Sequence, residues 1–267
     1  MRKKLLVGNW KMNMNISQAS MLLHRLQEHI KIHRNIEVVL APNTLALQPL
    51  SMQIDRRKFK LASQNAYQKD DGPFTGEVAF SMLRDLVSYG IVGHSDRRLK
   101  FSETMVDTRE KVVASIRNGI VPILCVGETD AERNLGETKQ VLQDQVLSAV
   151  RDLTSEDIEN IVIAYEPVWA LSTGADYMHH ATPKPEDIKQ AVKIIRDNIT
   201  QLYGKKAAEQ VRVLYGGSAN ASNARGIVEI DGVDGLLVGG ASLNYIEFSN
   251  MVEAIYRSQN SLKEQNG

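Results

Sequence analysis

Eight short runs of apolar and β-branched residues recur along the whole chain, each followed by a segment of helical periodicity. The runs are Lys4 to Val7, Ile36 to Ala41, Phe59 to Ser63, Gly90 to Val92, Val121 to Val126, Ile161 to Tyr165, Val211 to Tyr215 and Gly235 to Val238. They are nearly continuous in apolar character, as strands of a parallel sheet buried on both faces must be. The intervening segments place their apolar residues on one face, for example Ala19, Leu22, Leu23, Leu26 and Ile30. Ser102 is expected to cap a helix through Val106, Val112, Val113 and Ile116, with Asn118-Gly119 as its stop. Strand and helix thus alternate eight times, and no dinucleotide-binding glycine pattern follows the first strand. The reading is an α/β protein, one single-domain (β/α)8 barrel spanning 1–267 with a polar C-terminal tail from about residue 259.

Lys+Arg and Asp+Glu number 32 each, which removes the basic bias that nucleic acid binding favours. The lone Cys125 cannot form a disulfide within the chain and reads as a small buried hydrophobe of a reducing compartment. Met1-Arg2-Lys3-Lys4 is basic, but the apolar run after it ends at Val7, too short for a signal-peptide core, and no later run approaches a membrane span. A cytoplasmic protein with neither nucleic acid nor membrane as partner is expected.

In parallel barrels function gathers where strands end and loops begin. Polar residues stand at those points: Asn9 and Lys11, Gln64-Asn65, His94-Ser95-Asp96, Glu128 and Glu166. After the last two strands come Gly216-Gly217-Ser218 and Gly239-Gly240-Ala241-Ser242, small-residue turns whose backbone N–H groups can approach an anion, the second opening a short helix. A phosphate-bearing ligand is expected there. Each residue also has a plainer reading: Gly-Gly as a tight turn, Glu166 as a carboxylate at a solvated strand exit, His94 as a structural histidine and Lys11 as a surface lysine. His24, His29 and His33 fall in the first helix, and His179-His180 in a polar loop. No serine-hydrolase elbow occurs, and no metal, cofactor or covalent nucleophile is indicated.

Five blocks resemble the signatures of the triosephosphate isomerase family, in family order and over nearly the whole chain. They are Gly8-Asn9-Trp10-Lys11-Met12-Asn13, Gly93-His94-Ser95-Asp96-Arg97-Arg98, Ala164-Tyr165-Glu166-Pro167-Val168-Trp169-Ala170, Tyr215-Gly216-Gly217-Ser218 and the stretch from Gly232 to Leu243. The resemblance implies a glycolytic and gluconeogenic isomerase that interconverts dihydroxyacetone phosphate and D-glyceraldehyde 3-phosphate through an enediolate. It implies Glu166 as the proton-shuttling base, His94 as a neutral imidazole polarising the carbonyl, and Lys11 with Asn9 as electrostatic partners, Asp96 supporting Lys11. Ser172, Ser218, Gly239 and Gly240 match the phosphate contacts. A mobile lid over 167–180 and a homodimer through the 64–77 loop are likewise implied.

Three positions depart from the family pattern. Asp96 stands where glutamate is usual, and its shorter arm is expected to loosen its contact with Lys11. Ser172 replaces a lid glycine, and Asp176 to His180 lengthens the segment before Ala181-Thr182-Pro183. Two other readings share these features: a noncatalytic dimeric binding or scaffold protein of the same fold, and another phosphate-sugar barrel enzyme such as an epimerase or synthase.

Overall fold

The computed structural model describes residues 2–171 and 183–265. Eight strands, β1 (Lys4–Asn9), β2 (Ile36–Ala41), β3 (Phe59–Ser63), β4 (Tyr89–Val92), β5 (Val121–Val126), β6 (Val162–Tyr165), β7 (Arg212–Tyr215) and β8 (Gly235–Val238), follow one another round a closed parallel barrel. The seam is the pairing of β1 with β8, Leu5 opposite Gly235 and Gly8 opposite Val238. A side chain at 235 is impossible there, because its Cβ would lie 1.8 Å from the Leu5 carbonyl oxygen.

Side chains alternate across each strand, so every strand feeds two cores. Leu5, Val7, Val39, Ile91, Ile123, Val162 and Leu214 fill the barrel, while Leu6, Leu40, Leu61, Leu124, Ile163, Val213 and Leu236 meet the surrounding helices. Neither face is solvated, which is why the strands read as unbroken apolar runs.

One expectation about helix ends is corrected. The helix Met105–Arg117 is capped by Thr104, not Ser102. Thr104 accepts from the Asp107 backbone N–H while the Asp107 carboxylate accepts from Thr104, a reciprocal box that Ser102 cannot form with Met105 three residues on. Ser102 instead sits in the left-handed region at φ 55°, whereas Asn118 and Gly119 do end the helix. At the C-terminus the polar stretch from about residue 259 belongs to the helix Tyr245–Gln265, in which Ser258 and Gln259 are buried. Among the described residues no helix is long and apolar enough to cross a membrane. Ser172, the 176–180 segment, His179-His180 and most of the expected lid lie outside the described residues.

Candidate active site

The C-terminal ends of the strands surround a cavity of about 320 Å³ whose lining includes Asn9, Lys11, His94, Glu166, Gly216 and Gly239. These come from β1, β4, β6, β7 and β8 or from the loops just beyond them, so barrel closure brings together residues more than 200 positions apart.

Glu166 follows β6 and is 1% exposed, which rules out the plain reading of a solvated strand exit. Its position is cut by two glycines. A Cβ at Gly127 would lie 1.7 Å from the Glu166 carbonyl oxygen, and one at Gly216 would lie 2.9 Å from the Glu166 Cγ. The carboxylate accepts from the Ser95 backbone N–H at 2.9 Å through Oε2, and its Oε1 lies 3.1 Å from His94 Nε2.

His94 caps the helix Ser95–Lys100, its Nδ1 accepting the Asp96 backbone N–H at 3.1 Å. An Nδ1 that accepts carries no hydrogen, so the ring hydrogen is on Nε2, the atom turned to Glu166 and the cavity. One local hydrogen bond thereby fixes which nitrogen can donate.

Lys11 stands in the left-handed region at φ 50°, a conformation uncommon for a residue with a Cβ. It is held from three sides: its N–H donates to Asn9 Oδ1 at 3.0 Å, its carbonyl accepts from Gln64 Nε2 at 2.8 Å, and its Nζ reaches Asp96 Oδ2 at 2.8 Å. The shorter arm of Asp96 therefore does not loosen the contact with Lys11. The other oxygen, Oδ1, accepts from Lys100 at 2.7 Å. Burial raises the Asp96 pKa, but hydrogen bonds from Lys100 and Lys11 outweigh it and bring the carboxyl down to about 2.

The two small-residue turns border the same cavity. Gly240 begins a short 3-10 helix, Gly240–Leu243, and Ser218, also in the cavity lining, donates its hydroxyl to the Ala170 carbonyl at 3.0 Å. Ser172 falls outside the described residues.

Two buried acids were not given roles by sequence reasoning. Glu128, after β5, is fully buried, and its Oε1 accepts from Tyr165 at 3.0 Å and from the Trp169 indole at 2.6 Å. Burial raises its pKa above the usual glutamate value. Glu103 accepts from Arg97 and Lys111, each at 2.5 Å, and from the Gly93 N–H at 3.2 Å, bracing the loop that carries His94. Their signal in the sequence was thin: an acid just past a strand, and an acid six residues from an arginine.

A closed parallel barrel with a carboxylate and an imidazole facing each other in its C-terminal mouth defines a (β/α)8 barrel enzyme. The family model described as Triosephosphate isomerase matches residues 4–255. Proteins named triosephosphate isomerase from Chloroherpeton thalassium and Carboxydothermus hydrogenoformans are each 39% identical, the match covering 95% of this chain and 99% of theirs. One from Caldanaerobacter subterraneus subsp. tengcongensis is 39% identical over 94% of this chain and 99% of its own. The chain belongs to the triosephosphate isomerase family, and it is an enzyme, an isomerase of triose phosphates. Matches of this length give no support to the scaffold protein or to another sugar-phosphate enzyme.

Proposed function

We propose that this chain interconverts dihydroxyacetone phosphate and D-glyceraldehyde 3-phosphate with Glu166 as the base that moves one proton between adjacent carbons. The observation that carries the assignment is the meeting of Glu166, His94 and Lys11 in one cavity beneath the two glycine turns. A carbon acid next to a carbonyl loses its proton only if the charge reaching the carbonyl oxygen is met. The Nε2–H of His94 and the ammonium of Lys11 are the donors for that oxygen, and Asn9 holds the backbone of Lys11. Glu166 takes the proton from C1 of the ketone, the enediolate forms across C1 and C2, and the proton returns to C2 as the hydroxyl hydrogen passes to the former carbonyl oxygen.

His94 has one ring hydrogen, now directed at Glu166. The substrate carbonyl must take that donor over, which frees the carboxylate to face carbon. Binding and activation of the base are in this reading one event. The phosphate lies against the backbone N–H groups of Ser218, Gly239 and Gly240, with Ser172 joining them from the lid.

A homodimer belongs to the same proposal. Residues 71–77 are all exposed, the Phe74 ring packs on Tyr67 at 4.6 Å, and Met12, Leu45, Leu99 and Phe101 are exposed in the segments that follow β1, β2 and β4, Leu45 and Leu99 within short helices. That much apolar surface beyond neighbouring strands is what a partner's 64–77 loop would cover. A cytoplasmic location suits the single buried thiol.

The test is a coupled isomerisation assay in both directions on this chain and on Glu166→Gln. The variant should lose turnover by about 10² to 10⁴-fold while still binding inorganic phosphate, because the base goes and the anion turns stay. A folded variant with near-parental turnover would remove Glu166 from the role. Sedimentation at micromolar concentration tests the dimer, and a fully active monomer would reject it.

A further inference from the structure

The Asp96 carboxylate is shared between two lysines on opposite sides. Oδ2 meets Lys11 Nζ at 2.8 Å, and Oδ1 meets Lys100 Nζ at 2.7 Å. Lys11 faces the cavity, whereas Lys100 lies outside it with a side chain 58% exposed. Asp96 and Lys100 are four residues apart in the helix Ser95–Lys100, with the acid on the N-terminal side, the favourable order for such a pair. The backbone of Asp96 is already committed, since its N–H is the group that fixes the His94 ring. What remains free at this residue is rotation of the side chain, and Lys100 restrains it.

We propose that Lys100 is a positioning residue for the isomerisation: by occupying Oδ1 it keeps the short Asp96 carboxylate turned with Oδ2 toward Lys11, and so sets where the Lys11 ammonium stands. This rests on the reading above in which Lys11 meets the substrate oxygen. An aspartate reaches a lysine across a loop with little arm to spare, so a second hold on the same carboxylate matters more than it would for a longer acid. Lys100 also balances charge. With it, the three groups carry one net positive charge at the mouth; without it, Asp96 cancels Lys11 before an anionic substrate arrives. Restraint and charge act in the same direction.

The experiment is a double-mutant cycle with Lys100→Met, Lys100→Arg and Asp96→Asn, reading kcat and KM separately and the thermal midpoint alongside. Lys100→Met should lower kcat/KM about three- to tenfold, mainly through kcat, with the midpoint lowered only slightly because the lysine is largely exposed, as expected for a charged group displaced by a fraction of an ångström. Lys100→Arg should restore most of the loss. In the Asp96→Asn background, Lys100→Met should have no further effect. A parental kcat/KM in Lys100→Met overturns the proposal, as does an equal loss in both backgrounds, which would mean that the lysine acts on the substrate by its charge alone. Lys11→Met separates the two readings. If it retains parental turnover, the assignment of Lys11 fails; if it collapses turnover while Lys100→Met does not, only the role of Lys100 is lost.

Discussion

The two ends of the barrel use the same kinds of residue to different ends. At the N-terminal end Asp234 accepts from Arg2 at 3.1 Å, from Arg196 at 2.6 Å and from the Val213 N–H at 3.0 Å. Arg196 also donates to the carbonyls of Ala208, Val211 and Gly232, and Lys4 to those of Val228 and Val233. Arg212 bridges Glu37 at 2.8 Å and the Tyr89 hydroxyl at 2.7 Å. Charged groups there are satisfied by one another, by the backbone of β7 and by carbonyls of the helices and loops that lead into β7 and β8. At the C-terminal end the contacts are fewer and exchangeable. Glu166 is held by one N–H and one imidazole, and the Lys11 ammonium by a single carboxylate, although Asn9 and Gln64 fix the Lys11 backbone. A polar group becomes available for chemistry when the fold positions it without exhausting its bonding.

Paired substitutions test that contrast. The largest effects are expected from one residue at each end. Glu166→Gln should abolish most turnover yet shift unfolding free energy by no more than about 1 kcal/mol, since an amide keeps the acceptor for Ser95. Asp234→Ala should do the reverse, costing about 3–5 kcal/mol because two arginines lose a buried acceptor, while kcat per folded molecule stays near parental. Urea titrations beside the coupled assay read both. Were Asp234→Ala to cut kcat as strongly as stability, the division between the ends would not hold.

Acid titration gives a smaller effect with a defined sign. The Asp96 carboxyl falls from an ordinary 3.8 to about 2 in the fold. A depressed folded-state value adds stability above the unfolded pKa, and that stability is lost as pH falls through the folded one. Asp96→Asn should therefore be less stable than the parent at pH 5 to 7, and the gap should close between about pH 4 and pH 2. A gap that persists unchanged to pH 2 would show that the carboxylate's charge is not what stabilises.

The smallest effects concern the corrected cap. Thr104→Ala should destabilise by about 1 kcal/mol, the value of an N-cap, whereas Ser102→Gly should stabilise by a few tenths by relieving a positive φ. If Ser102→Ala proves as costly as Thr104→Ala, the capping assignment is wrong.

The strands were legible because a parallel barrel buries both faces and leaves little ambiguity about period. Even so, β1 runs two residues further than its apolar run, to Asn9, and β4 begins at Tyr89. Pairing with a neighbour defines a strand end, and a sequence does not display its neighbours. Lys11, His94 and Glu166 were legible as polar residues at strand exits, with roles supplied by resemblance. The burial of Glu166 was not, since it depends on Gly127 and Gly216 from other strands giving up side chains. The two-lysine grip on Asp96 had a visible clue in its i, i+4 spacing, but such pairs are common on surface helices and one seldom points inward.

The seam between β1 and β8 has a consequence for how the molecule is made. Lys4–Asn9 leaves the ribosome long before its partner Gly235–Val238, with six strands and their helices made in between. One edge of β1 stays without its final partner for on the order of ten seconds or more at ordinary elongation rates. The cavity also takes Asn9 and Lys11 from the end of β1 and the loop after it, and Gly239 and Gly240 from just beyond β8. No site exists until β8 and the turn after it have been made, so chains halted before Gly240 would be unfinished barrels, left to quality control rather than to metabolism.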